Sequence, residues 1–313
     1  MLKALVQKTI SFLPRAADIN LLFQRYVTRG VALDDVHLTY KVEAARDHLC
    51  FFASRRAAAG GEPLRVLELG TGWYPIVPLV FYLHGVGPVT SLDIRDWTSK
   101  ENHLLAIRRL VEWHDRGNLQ RYLPHADPGR LDRLRQLLAR PGGTDLDGIN
   151  RLIGLTTVVT DARHTGFAEN SFDLICSNNT FEHIYPEVLA DILTEFVRLA
   201  KRNAVMSHFV DLSDHFAHFD PSIDIYNFLR FSPAAWRLID NDIQPQNRLR
   251  WSDYLRMYAR LGVPVTATEV RPGSVALVRA TALDATFRSY AEADLAISHG
   301  YIVSDLADQA AAG

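Results

Sequence analysis

The stretch Val66-Leu67-Glu68-Leu69-Gly70-Thr71-Gly72 constrains this chain more than any other. Arg65 to Leu69 is short, apolar and branched, as a strand buried on both faces of a parallel sheet must be. Gly70 and Gly72 then permit a tight turn and a close approach of backbone to ligand. A second apolar run ends at Asp93, 23 residues after Gly70, where a carboxylate is placed to take a ribose diol. A G-x-G turn alone punctuates many loops. Strand, turn and acidic residue in that order point to a nucleoside-containing cofactor.

Two details narrow the cofactor. A dinucleotide turn wants a third small residue three positions after the second glycine, to pack around a pyrophosphate. Pro75 stands there, after the bulky pair Trp73 and Tyr74. Glu68 puts a carboxylate inside the strand just before the turn, a poor neighbour for a pyrophosphate and a good one for an α-ammonium group. S-adenosylmethionine has a ribose, an ammonium and a sulfonium, and no phosphate. The residues favour it.

At this point the chain resembles the class I S-adenosylmethionine-dependent methyltransferases. Their first motif, an apolar strand with an acidic residue and G-x-G, matches Val66 to Gly72. Their second strand ends in an acidic residue for the ribose, as Val89-Thr90-Ser91-Leu92-Asp93 does. Their third leads to an Asp facing the adenine amino group, matched by Thr157 to Ala162 with Asp161. Asn170-Ser171-Phe172-Asp173-Leu174-Ile175 is similar to the phrase before their fourth strand, and Glu182-His183-Ile184 to a frequent ending in small-molecule members. The similarity covers roughly residues 64 to 282. It implies a Rossmann-like α/β fold, a seven-stranded, mostly parallel sheet with helices on both faces, here with an N-terminal helical cap and helical insertions. It also implies that Glu68, Gly70, Thr71, Gly72, Asp93, Asp161, Ala162, Asn178 and Asn179 bind the cofactor.

Three parts are expected: a helical cap over 1–62, a cofactor-binding core over 63–282, and a C-terminal helix and tail over 283–313. The cap contains helical periods at Ile19 to Val27 and Leu38 to Ala58, and its residues 2–13 read as a core-docking helix rather than an interfacial one. The core holds a helical insertion over 97–152 and a substrate lid over 211–248. Its last two strands are expected as a hairpin, Val265 to Val270 and Ser274 to Ala280, turned at Arg271-Pro272-Gly273. The tail Ala282 to Ile302 reads as helical, and Asp305 to Gly313 as frayed.

The global numbers limit the partners. The net charge is −2, so no bulk field draws the chain to nucleic acid. The one arginine concentration, Arg108 to Arg140, is interleaved with Glu112, Asp115, Asp127 and Asp132, as on a solvated helix face. Cys50 and Cys176 have no metal-like spacing and suit a reducing compartment. No apolar run approaches the ~20 residues of a membrane span. A cytoplasmic enzyme acting on a small molecule is expected, with helical additions that offer surface for a homodimer.

Methyl transfer is an in-line displacement, so most of its demand is positioning. A hydroxyl acceptor also needs a base, or a metal that lowers its pKa. Two clusters beyond strand ends are candidates. One is Asn178 to His183. The other is His208 to Asp220, with three histidines and three aspartates in 13 residues. From these, His183, His215, His218 and Asp214 are the catalytic candidates, and Glu182, His208, Asp211, Tyr226, Arg230, Trp236 and Arg248 the substrate-binding ones. Three readings of the second cluster stay open: a base with its orienting carboxylate, a divalent metal site, or a polar lid wall. The function expected is O-methylation of a sugar or natural-product hydroxyl with a histidine base. The alternatives are N- or C-methylation on the same scaffold, an NAD-type reaction, or a non-catalytic binding protein.

Overall fold

The structure, a computed structural model, describes residues 33–55, 63–218, 220–240 and 245–307. The expected elements within residues 1–32 lie outside this set, as does the tail beyond 307. Seven strands form one sheet: β1 Val66–Leu69, β2 Val89–Asp93, β3 Leu155–Val159, β4 Phe172–Asn178, β5 Ala200–Asp211, β6 Ala267–Pro272 and β7 Ile297–Asp305. Their order is β3-β2-β1-β4-β5-β7-β6. The β1–β2, β1–β4 and β2–β3 pairings are parallel, with Glu68 beside Ser91 on one side and Cys176 on the other. The expected α/β, mostly parallel seven-stranded sheet is thus present.

The chain divides into two compact units. The first comprises the described parts of Leu33–Asn178, Ile192–His208 and Val303–Gly313. All four residues of β1 are buried, the pattern a central parallel strand requires. Helix Ile76–Leu83 is buried at every position, with Pro75 at its N-cap. It packs on helix Asp35–Arg55, whose Leu38, Val42, Ala45, Leu49 and Phe52 form the apolar stripe read from the sequence. The expected insertion is helical throughout its longer pieces: Lys100–Asp115, Leu119–Tyr122, Pro128–Ala139 and Leu146–Ile153. Ser99, Asp127 and Asp145 cap three of these by accepting an amide three residues on. The arginines pair locally: Arg109 and Arg116 with Asp35, and Arg135 with Asp115 and Asp132.

The second unit comprises Asn179–Asp191 and the described part of Phe209–Ile302. Its core is Tyr226, Phe228, Leu229, Trp236, Val278, Phe287, Leu295 and Ala296. Here the structure corrects the sequence at two places. Ser274 to Ala280 is not a strand; Ser274 caps a short helix, Val275–Ala280, by accepting the Leu277 amide. The last strand comes instead from the tail expected to be helical, at Ile297–Asp305, so residues 283–313 contribute a sheet strand rather than a terminal helix. The cap chemistry at Ser274 outweighs the β-branched composition that follows it.

Gly300, inside β7, shows why that strand depends on tertiary packing. A Cβ at this position would stand 2.5 and 2.6 Å from ring atoms of Trp251, which is itself buried. Gly300→Ala is therefore expected to destabilise the protein by about 1–3 kcal/mol. In the Trp251→Leu background, where the ring is gone, the same change should cost clearly less. Equal losses in both backgrounds, measured by urea unfolding, would refute this overlap.

Candidate functional site

In the first unit, the turn after β1 has φ of 90° at Gly70 and 60° at Gly72, a region glycine adopts without strain. Among the described residues, its chain neighbours aside, no atom lies within 4 Å of where a Cβ on Gly72 would stand. The turn is tied to β2 by a buried hydroxyl chain: Thr71 Oγ1 lies 2.9 Å from Ser91 Oγ, which donates to Glu68 Oε2 at 2.7 Å. Burial pushes the Glu68 carboxyl up to about 7, although the Ser91 hydrogen bond opposes it. Asp93 accepts from the Gly72 amide at 3.4 Å through one oxygen and from Trp97 Nε1 at 3.1 Å through the other. Trp97 in turn lies 4.8 Å from Trp73, ring centre to ring centre.

Asp161 follows β3 and forms a forked pair with Arg163, 2.6 Å from its Nη2. Those bonds hold its carboxyl down at about 2. Ala162 beside it is buried. Asn178, which ends β4, accepts on its Oδ1 from His48 Nε2 at 3.1 Å. The other nitrogen of His48 lies 2.8 Å from Ser207 Oγ. His208 is wholly buried, 2.9 Å from Ser177 Oγ and stacked on Phe196. This interior position leaves no exposed face for the substrate contact expected of it.

In the second unit, Asn179 has φ of 47°, and its amide donates to the Phe209 carbonyl. Glu182 and His183 sit on the short 3-10 turn Phe181–His183, and His215 opens another at His215–His218. The His183 and His215 rings meet edge to face, 4.9 Å between centres. His183 Nδ1 lies 2.7 Å from the Pro245 carbonyl. Burial, reinforced by His215, lowers its pKa to about 4. Asp211, at the end of β5, stands between two imidazoles: Oδ2 is 3.3 Å from His215 Nε2 and Oδ1 is 3.3 Å from His299 Nε2. Glu182 is 2% exposed, and burial together with Asp211 pushes its carboxyl well above the ordinary range.

Other expected site residues do structural work in this unit. Asp214 is fully buried, accepting from the Phe216 amide and from Asn227 Nδ2. Tyr226 and Trp236 belong to the core and donate to the carbonyls of Ala296 and Gln246. Arg248 lies over the rings of Trp236 and Phe287 and donates to the carbonyls of Phe228 and Phe231. Arg230 is exposed. The side chain of His218 lies outside the described residues.

Two participants escaped the sequence reading. His48 is 130 residues from Asn178, and His299 lies in a segment read as helix. Neither carries a local motif.

Residues 117–207 match the family described as a methyltransferase domain. The match spans β3, β4 and the helix Pro186–Leu199, and so includes Asp161 and the loop through His183. No curated protein matches the chain. Among solved structures it is similar to a 1,6-didemethyltoxoflavin N1-methyltransferase from Burkholderia thailandensis, solved with bound 1,6-didemethyltoxoflavin and S-adenosylhomocysteine. That pair is 12% identical with a TM-score of 0.45, over 92% of this chain and 85% of the other. A geranyl diphosphate C-methyltransferase from Streptomyces coelicolor, solved with Mg2+, geranyl diphosphate and S-adenosylhomocysteine, is 14% identical with a TM-score of 0.44, over 85% and 80%. A methyltransferase dependent on S-adenosylmethionine from Archaeoglobus fulgidus is 12% identical with a TM-score of 0.43, over 87% and 100%. Over residues 117–207 the domain match agrees with the resemblance to S-adenosylmethionine-dependent methyltransferases that the motif order implies.

The Glu68 carboxyl gives the protein a measurable signature. Its pKa in the fold, about 7, stands above the ordinary 4.5, so the fold favours the protonated form. That contribution is complete below about 4.5 and is lost as pH rises through about 7. Across this window it amounts to a few kcal/mol at most, on the order of 3. Glu68→Gln should flatten the pH dependence of unfolding between pH 5 and 8. A variant whose stability still falls with the wild-type slope would show that another group titrates.

Proposed function

We propose that the enzyme moves the methyl group of S-adenosylmethionine to a hydroxyl of a small polar metabolite, a sugar or a natural product. Asp211, with an imidazole 3.3 Å from each of its oxygens, is the observation that carries the acceptor half of this reading. A carboxylate that orients an imidazole and stabilises its charged form is what a histidine base needs when it takes a proton. The cofactor half is supported by Glu68, the glycine turn, Asp93 and Asp161. In this reading Glu68 receives the α-ammonium group, Asp93 the ribose and Asp161 the adenine amino group.

The chemistry balances without a further reactant. The acceptor oxygen attacks the methyl carbon in line with the sulfonium, and the carbon–sulfur bond breaks with its electron pair going to sulfur. The hydroxyl proton passes to an imidazole beside Asp211. The products are the methyl ether and S-adenosylhomocysteine. His183 is the weaker base: its Nδ1 is committed to the Pro245 carbonyl, and a pKa of about 4 is far from the working pH. His215 and His299, each with Nε2 3.3 Å from an Asp211 oxygen, are the remaining candidates.

Two measurements test the reading separately. Calorimetry should detect both S-adenosylmethionine and its demethylated product binding to the purified chain, and Asp93→Ala should weaken each at least tenfold. No binding of either at high micromolar concentration would remove the donor. Radiolabelled methyl transfer to pooled metabolites should label a hydroxyl product. Asp211→Asn should slow that transfer by about 10²–10⁴-fold with little change in donor affinity. Label appearing on nitrogen or carbon would overturn the acceptor assignment.

A further inference from the structure

Glu182 is a buried carboxylate near the end of β4. Neither of its oxygens makes a hydrogen bond of good geometry among the described residues, although the backbone amides of Glu182 and Asp211 come close enough to ease its charge. Asp211 adds a second negative group nearby. Arg250 is the buried cation that senses Asp211, yet it donates to the carbonyls of Leu249 and Leu212. A carboxylate held this way must stay protonated or gain a cation, since an unpaired buried charge costs several kcal/mol.

Two imidazole nitrogens stand beside it. One donor atom each from Glu182, His183 and His215 lies within 4.8 Å of the others. His183 offers Nε2, because a proton on Nδ1 donates to the Pro245 carbonyl 2.7 Å away. Metal-bound histidines are oriented in this way, with the second nitrogen donating to a carbonyl or carboxylate. Ligands about 2 Å from a zinc ion stand about 3–4 Å apart, so small side-chain rotations would bring this trio into range.

We propose that Glu182, His183 and His215 bind one divalent first-row transition ion, zinc fitting best. One carboxylate with two imidazoles is the donor set of mononuclear catalytic sites that keep a position open. Mg2+ and Ca2+ prefer all-oxygen shells and fit it less well. The consequence for catalysis rests on the methyltransferase reading above. The open position would take the acceptor oxygen and lower the pKa of its proton. His215 would be committed to the ion, leaving His299, on the other oxygen of Asp211, to accept that proton.

The test uses the full chain, freed of metal with a chelator and titrated with Co2+ and Zn2+. One Co2+ per chain with visible ligand-field bands is expected, displaced by Zn2+. Glu182→Gln and His215→Ala should each weaken binding at least tenfold. Zinc should raise the melting temperature of the wild type and not of Glu182→Gln, which keeps the shape of the side chain and removes only its charge. His299→Ala should bind the ion normally and slow methyl transfer. Equal stoichiometry and affinity in the wild type and both ligand variants would mean surface histidines only and would overturn the site. So would the absence of binding at high micromolar Co2+. Metal bound at this trio with no methyl transfer would leave the site standing and overturn the acceptor chemistry instead.

Discussion

A carboxylate in the middle of a parallel sheet is the constraint around which the first unit is arranged. Glu68 sits on β1 between Leu67 and Leu69, flanked by β2 and β4, with 4% of its surface exposed. Two neighbouring strands supply the backbone hydrogen bonds, but the side chain still needs a polar partner. Ser91 provides one from β2, and Thr71 extends the chain of hydroxyls into the glycine turn. Strand, turn and second strand are thereby fixed by a single buried polar network. A cationic ligand group at this point would restore the charge that burial suppresses, so desolvation of the carboxyl favours binding of a cation.

The second unit repeats this logic with a different solution. Among the described residues no hydroxyl donates to Glu182 as Ser91 does to Glu68, and Asp211 opposes its ionisation. Around them stand the imidazoles of His183, His215 and His299, while the buried Arg250 that senses Asp211 donates to backbone carbonyls. Imidazoles can be neutral ligands or bases, whereas a fixed cation would quench the carboxylates permanently. The buried arginines are turned elsewhere: Arg248 and Arg250 donate to backbone carbonyls and lie over aromatic rings. They stiffen the aromatic core and leave the carboxylate cluster chemically open.

The parts of the fold legible in the sequence are those set by local pattern. β1, β2, β4 and β5 were readable because apolar runs end at glycines, aspartates or asparagines whose conformations stop a strand. The insertion was readable from its leucine period and its length. What failed was the C-terminal third. Ser274 to Ala280 has strand composition but lies after a capping serine, and Ile297 to Asp305 becomes a strand through contacts such as Gly300 against Trp251. Long-range packing of that kind leaves no periodic trace. The site shows the same split: Gly70, Gly72, Asp93 and Asp161 announce themselves by position, whereas His299 acquires a role only by meeting Asp211 in space.

Histidine density near β5 was read as one chemical cluster, and the structure separates it by environment. His208 is paired with a serine hydroxyl and stacked on a phenylalanine, and burial with His48 nearby keeps its pKa well below the usual value. His48 is likewise neutral, bridging Ser207 and Asn178. Such rings are polar ties, and neutrality is what makes them tolerable in the interior. His215 and His299 instead face a carboxylate, each with its Nε2 3.3 Å from an Asp211 oxygen. Seven residues apart along β5 and its turn, His208 and His215 thus differ in role because one meets a hydroxyl and the other a charge. The His48 contact also fixes the carboxamide of Asn178 through its Oδ1, turning a structural histidine into support for a residue expected at the cofactor.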